Sequence, residues 1–278
     1  MTQTPSDNSV SSHYTHGGLR AAIAAKIEEA GLPLGGLSVQ DLASMDHLHT
    51  RGLEATEQML RSLNPTTNQH LIDIGCGIGG PARWIAREAG CRVTGVDLTE
   101  EFIEVAQWLT GLTGTATRTG FLAGDALDLP FDNGAFDGGY THNVSMSVPD
   151  KEKFFAEAFR VIKPGGRFAA AEITLGEGGE VLYPVPWAMT AEISHLTTAE
   201  EIRAVLEGAG FRVLDIQAST DQVLAYNARQ REKIARDGPP ILTPAIVLTL
   251  QAKDRLRNSA KNVAEGRTVP VEFLCLRP

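Results

Sequence analysis

Leu71-Ile72-Asp73-Ile74-Gly75-Cys76-Gly77-Ile78-Gly79-Gly80 joins a short apolar run to a cluster of glycines and then to a helix-compatible segment. Such a loop lets a ligand approach the backbone without meeting Cβ atoms. The acidic residues around it indicate what docks there. Gly75, Gly77 and Gly80 satisfy the dinucleotide Gly-x-Gly-x-x-Gly spacing, and Asp97 follows about 20 residues on, where a ribose carboxylate stands in nicotinamide enzymes. Asp73 precedes the first glycine at the strand end, where a carboxylate accepts from a ligand ammonium and repels a pyrophosphate. In Gly124-Asp125-Ala126, Asp125 can accept from the exocyclic amine of adenine while the Ala126 N–H meets a ring nitrogen. S-adenosylmethionine (SAM), an adenine nucleoside carrying a cationic amino acid, suits this set better than NAD. A strand-to-helix turn without any ligand is the third reading the loop alone permits.

The elements that must position these residues are legible in the apolar rhythm. From His70 onward short apolar runs alternate with helical segments, the pattern of βαβ units feeding a parallel sheet. Strands are expected at residues 69–74, 92–97, 120–123, 136–141, 167–173, 212–217 and 270–276, and helices at 80–88, 100–110, 151–161 and 199–209. Pro164-Gly165-Gly166 is expected to end the helix before the fifth strand sharply. Ahead of the sheet, Leu19, Ile23 and Ile27 share one helix face, and a second helical stretch is expected over 38–63. The fold class is thus α/β: a doubly wound, Rossmann-like, seven-stranded, mostly parallel sheet with an N-terminal helical cap over residues 1–68. The remainder, 69–278, is expected to be the cofactor-binding domain, with substrate-covering insertions near 176–197 and 219–264, the latter a long helical segment.

Asp-x-Gly-x-Gly-x-Gly, the acidic end of the second strand, Gly-Asp-Ala and Lys163-Pro164-Gly165-Gly166 occur in order between about Gln69 and Glu172. In this the chain resembles the class I SAM-dependent methyltransferases. His13-Tyr14-Thr15-His16-Gly17-Gly18 and Asp46-x-x-His49-Thr50-Arg51-Gly52 are similar to the leading segments of the sarcosine/dimethylglycine methyltransferase-like small-molecule enzymes. The resemblance implies that Gly75 and Gly77 approach the methionine part of SAM, Asp97 takes the ribose hydroxyls, Leu98 packs on adenine, and Asp125 with Ala126 reads its edge. It implies that Arg51 pairs with the SAM carboxylate through a bidentate fork.

Transfer of an already activated methyl group asks the protein mainly to align a nucleophile and exclude water. His142, at the carboxyl edge of the fourth strand, either lines the methionine pocket or orients substrate. His142 or Glu172 is the candidate base for a phenol or carbon acid, whereas an amine can lose its proton beforehand. Tyr14, with His16, is a candidate to close over the sulfonium, its ring face offering a cation–π contact. Tyr183 and Trp187 suit either a cage for a methylated amine or an apolar slot for a phenol, quinone or terpenoid. The implied activity is methylation of an amine, phenol or secondary metabolite. SAM binding without transfer, SAM used for another reaction such as cyclisation, and an NAD-linked oxidoreductase are the rivals.

Composition narrows the partners. Lys and Arg number 25 against 34 Asp and Glu, a formal charge of −9 opposite to that of a phosphate-backbone binder. No nucleic acid is expected. The polar start and the lack of any run near the roughly 20 apolar residues of a membrane span point to a cytoplasmic protein with no membrane partner. Cys76, Cys91 and Cys275 lack a Cys-x-x-Cys pair and read as reduced thiols. No metal is expected; His47 and His49 read as a helix surface or cofactor rim. A small-molecule substrate is implied, and a homo-oligomer is compatible with the sequence.

Overall fold

β1 (His70–Ile74), β2 (Arg92–Asp97), β3 (Thr119–Ala123), β4 (Phe136–His142) and β5 (Ile162–Leu175) lie parallel in the computed structural model, which describes residues 17–278. β6 (Arg212–Ala218) and β7 (Thr268–Leu276) complete a seven-stranded sheet in the order β3-β2-β1-β4-β5-β7-β6. β7 inserts between β5 and β6 and runs antiparallel to both. This is the expected α/β architecture. Its strand order reverses between β1 and β4, and in such open sheets the crevice at the reversal, outside the strands' carboxyl ends, is where ligands bind.

Both sheet faces are covered, so the central strands are nearly continuous apolar runs. Ile72, Ile74, Val96 and Phe168 pack beneath α6 (Lys151–Val161) and α7 (Ala199–Gly208), which contribute Phe154, Phe155, Ile202 and Leu206. On the other face Leu71, Val93 and Tyr140 meet α3 (Leu53–Leu63), α4 (Gly80–Ala89) and α5 (Glu100–Leu112) through Met59, Ile85 and Ile103. The alternation of residues 71 and 72 between the two clusters is the period-two consequence of a strand. At the N-terminal side, α1 (Leu19–Glu29) buries Leu19, Ile23 and Ile27 with Phe102 and Leu109 of α5. The Glu101 carboxylate accepts from the Gly17 and Leu19 N–H groups and ties that helix down.

Three expectations need correction. The helical stretch over 38–63 is two helices, α2 (Val39–Asp46) and α3, separated by a turn in which Arg51 and Gly52 have φ of 66° and 51°. Ser38 caps α2 through a reciprocal bond pair with Asp41, but nothing in the apolar pattern marks the left-handed conformation of Arg51. The long segment after 219 is α8 (Thr220–Asp237), α9 (Ala245–Leu248) and α10 (Ala252–Ala264). Gly238-Pro239-Pro240 and Pro244 break it because proline lacks the helical N–H and clashes with the preceding turn. Finally, β5 begins at Ile162, not after the Pro-Gly-Gly turn. Ile162 pairs with Phe136 and Arg167 with Gly138, so residues 163–166 form a bulge inside the strand.

Candidate functional site

At the carboxyl edge of β1, Gly75 and Cys76 both donate to the Val96 carbonyl, which pulls the loop across the end of β2. Gly75 has φ of 78°, and a Cβ there would collide with Val144 beyond β4. At Gly80 a Cβ would collide with the Asp46 carbonyl at the end of α2, a backbone atom that cannot rotate away. These glycines let the loop, the α2 end and the segment after β4 converge.

The converging segments line one cavity of about 970 Å³, at the large end of small-molecule sites. Asp73, Gly75, Gly77 and Asp97 form its floor, and Leu98, Asp125 and Ala126 line a neighbouring side. The Asp97 carboxylate accepts from Gly77 N–H (2.9 Å) and Thr99 N–H (2.9 Å), so it braces the glycine loop from below. Asp125 accepts from Leu127 N–H at 2.8 Å, shaping its own turn. Leu98 is 36% exposed, an apolar residue held at a rim. The sequence-derived cofactor residues are thus brought together.

Their electrostatics select the ligand. Burial, aided by the charge of Asp97, pushes the Asp73 carboxyl up to about 8, although the Tyr140 hydroxyl donates to it at 3.0 Å. Burial also raises Asp97 above the ordinary carboxylate range against its two backbone donors. Neither carboxylate has a cationic partner among the described residues. A ligand bringing an ammonium group and hydroxyl donors relieves both, whereas a pyrophosphate brings further negative charge. The donor set therefore fits SAM and disfavours NAD.

Arg51 lines the cavity, but its Nη2 donates to Glu272 (3.0 Å) and Gln58 (2.8 Å). His142 lines it too, with its ring stacked on His49 at 3.4 Å between centroids and 11° between planes. Burial, then the neighbouring His49, His47 and Arg51, holds His142 well below the ordinary histidine range, so it is a neutral imidazole. Glu172 is 1% exposed and lies outside the cavity lining; its Oε2 accepts from Ser145 N–H at 3.1 Å, and burial raises it to about 7. Tyr14 and His16 lie outside the described residues.

The same cavity has an apolar wall made by Met146, Trp187, Val223, Val247, Leu248 and Val263. Trp187 donates to Ser194 Oγ at 2.9 Å, which spends its polar atom and turns its rings to packing. Tyr183 packs in the cluster around Val185 and Ala188 and does not reach the cavity, so it forms no cage with Trp187. Polar lining residues of α8 are Tyr226, Asn227, Gln230 and Lys233. They lie on the segment expected to cover the substrate, and their helical spacing is the signal that picks out the individual residues. Sequence reading missed the depth of His47 and His49, which line the cavity from the turn between α2 and α3.

Residues 72–170 match a family model described as a methyltransferase domain. The chain is 31% identical over 188 residues to methyltransferase GfsG of Streptomyces halstedii, the match covering 66% of each chain. It is 32% identical over 178 residues to O-methyltransferase resE of Aspergillus sclerotiorum, covering 61% of this chain and 66% of that one. The match thus spans just under two thirds of these relatives' length. Geranyl diphosphate C-methyltransferase from Streptomyces coelicolor A3(2) superposes over the whole of both chains with a TM-score of 0.71 at 17% identity, a likeness of fold.

Proposed function

Since the chain belongs to the class I SAM-dependent methyltransferases, we propose that it methylates a hydroxyl group of a bulky, mostly apolar small molecule. The observation that carries this reading is the continuity of the cavity, in which an acidic, nucleoside-compatible floor meets an apolar wall. The O-methyltransferase name among the relatives supports oxygen as the acceptor atom.

In this reading Asp97 holds the ribose hydroxyls, Leu98 packs on the adenine, Asp125 and Ala126 meet its edge, and Asp73 faces the ammonium group. Gly75 and Gly77 admit the methionine part. Glu272 and Gln58 both take Nη2 of Arg51, the nitrogen common to both bidentate edges of a guanidinium, so Arg51 meets the carboxylate through a single nitrogen and not through a fork. SAM supplies an electrophilic methyl group on a sulfonium. The chain supplies position and dryness: Met146, Trp187 and Val247 hold the acceptor's apolar body and exclude water, an alignment that lowers the barrier by roughly 7–11 kcal/mol in well-oriented systems. Glu172 acts from behind the wall by holding the Ser145 N–H and so the segment that carries Val144 and Met146.

Incubation with SAM bearing a trideuterated methyl group and a panel of apolar phenols, followed by mass spectrometry, tests the proposal. A deuteromethyl ether supports it. SAM bound without any labelled product identifies a SAM-binding protein, and an isomerised, unlabelled product identifies a cyclisation.

A further inference from the structure

Residues 176–197, the strap that follows β5, hold only a short helical turn at Ala191–Ile193 and one isolated bridge between Val185 and Ala188. Val185 N–H donates to the Ala188 carbonyl at 2.8 Å and Ala188 N–H to the Val185 carbonyl at 3.2 Å, so Pro186 and Trp187 stand at the tip of a tight turn. Both tip residues line the cavity. A backbone folded in this way carries peptide groups into the protein that no sheet or helix satisfies, and they need partners from elsewhere.

One face of α10 supplies those partners. Arg255, Asn258 and Asn262 recur at the three- and four-residue spacing of a helix stripe, and all three are buried. Arg255 Nε donates to the Val185 carbonyl at 3.1 Å, its Nη2 to the Pro186 carbonyl, and its Nη1 to the Leu248 carbonyl at 2.8 Å. Asn258 donates to the Pro184 carbonyl at 3.1 Å. Asn262 donates to the Leu182 carbonyl at 3.0 Å and accepts from the Leu182 N–H at 2.8 Å. Leu256, Ser259 and Val263, each one position further on, form a neighbouring stripe about 100° around the axis, which lines the cavity together with Ala260.

We infer that Arg255 and Asn258 decide which acceptors are taken: by holding the 184–187 turn on α10 they fix where Trp187 stands beside the lining stripe, and that spacing sets the size of apolar body the cavity admits. The inference rests on the proposed methylation of a hydroxyl group. Neither side chain lines the cavity, so both are positioning residues that act through Pro186 and Trp187.

Arg255 joins three segments of the wall with one guanidinium: the strap turn, α10 itself and the end of α9, whose Val247 and Leu248 line the cavity. A planar fork with donors on three nitrogens reaches three carbonyls at fixed places, which the single ammonium of a lysine cannot span. The bond from the Trp187 indole to Ser194 stays within the strap, so it shapes the strap without placing it against α10. Asp73, Gly75 and Asp97 of the floor belong to β1, β2 and the loop after β1, away from this seam. A misfit of one methylene in an apolar pocket changes turnover by about 10–200-fold, so a small displacement of Trp187 is read out as an altered size preference.

The test labels the full chain with 5-fluorotryptophan. Trp187, assigned with Trp187→Phe, reports on the strap, while Trp84 on α4 and Trp108 on α5 report on the rest of the fold. In Arg255→Lys the Trp187 fluorine signal is expected to shift and broaden while the other two stay in place. Asn258→Ala, which loses only the bond to Pro184, is expected to show a smaller change of the same kind. Turnover of 4-methylphenol and 4-octylphenol gives the functional readout. The ratio of their kcat/KM values, whichever wild type favours, is expected to move at least about tenfold toward equality in Arg255→Lys, with SAM affinity unchanged by calorimetry. Should Arg255→Lys lose all three fluorine signals together, Asn258→Ala decides by the same two readouts. An unchanged Trp187 signal or an unchanged ratio in a folded variant, or a wild type that treats the two phenols alike, overturns the inference. A wild-type chain that binds SAM and methylates neither phenol overturns the reading on which it rests.

Discussion

Asp73→Asn removes a carboxylate from the cavity floor yet keeps an oxygen to accept the Tyr140 hydroxyl, so it isolates charge from shape. The Asp73 carboxyl stands at about 8 in the fold, against about 3.9 for an unperturbed aspartate. With the folded value above the unfolded one, the protonated acid favours folding. That contribution is complete below about pH 4 and is lost as the pH rises through about 8. Four units at about 1.36 kcal/mol each set a ceiling of roughly 5 kcal/mol. Without SAM, the variant is therefore more stable than wild type at about pH 9, by several degrees in Tm at about 2–4 °C per kcal/mol, and the two converge toward pH 4. Saturating SAM should reverse the order, because its ammonium favours ionised Asp73 and has no charge to meet in the variant. The assay is thermal unfolding across this pH range, with and without SAM. Parallel curves for the two proteins, or unimpaired SAM affinity in Asp73→Asn, would show that the Asp73 charge neither opposes folding nor meets the ammonium group.

Gly80→Ala drives a Cβ into the Asp46 carbonyl and is expected to cost about 1–3 kcal/mol in urea unfolding, with weaker SAM binding because the loop must shift; an unchanged midpoint contradicts this. Ala260→Trp fills the acceptor chamber, so SAM affinity measured by calorimetry should persist while methylation of bulky phenols falls at least about tenfold; loss of both together would put Ala260 nearer the cofactor than proposed. Thr198 and Glu201 cap α7 reciprocally, so Thr198→Ala should cost about 1 kcal/mol by denaturant titration without altering SAM affinity.

The sheet was legible because most of its strands are short apolar runs next to helical segments, and both faces of β1 are buried. The floor of the site was legible for a related reason. Asp73, Gly75, Gly77 and Asp97 lie at the ends of adjacent parallel strands, where chain order and spatial order coincide. The breaks were harder. Arg51 adopts a left-handed conformation that its side chain does not announce, and with it the turn carrying His47 and His49 was hidden inside an apparently continuous helix. The pairing of His49 with His142 is tertiary: it arises because the turn after α2 folds over the end of β4, and no local pattern encodes it. The breaks after α8 were signalled by Gly238-Pro239-Pro240 and Pro244, whose chemistry outweighs the surrounding helical periodicity.

The function of this chain turns on SAM resting on the acidic floor at the sheet's switch point. Calorimetric titration of SAM into wild type and Asp97→Ala tests it most directly, with NAD+ titrated in parallel. Wild type is expected to bind SAM saturably, Asp97→Ala to bind it at least about tenfold more weakly as a charge-assisted bond pair is lost, and neither to give heat with NAD+. Binding of NAD+, or SAM affinity indifferent to Asp97, would contradict it.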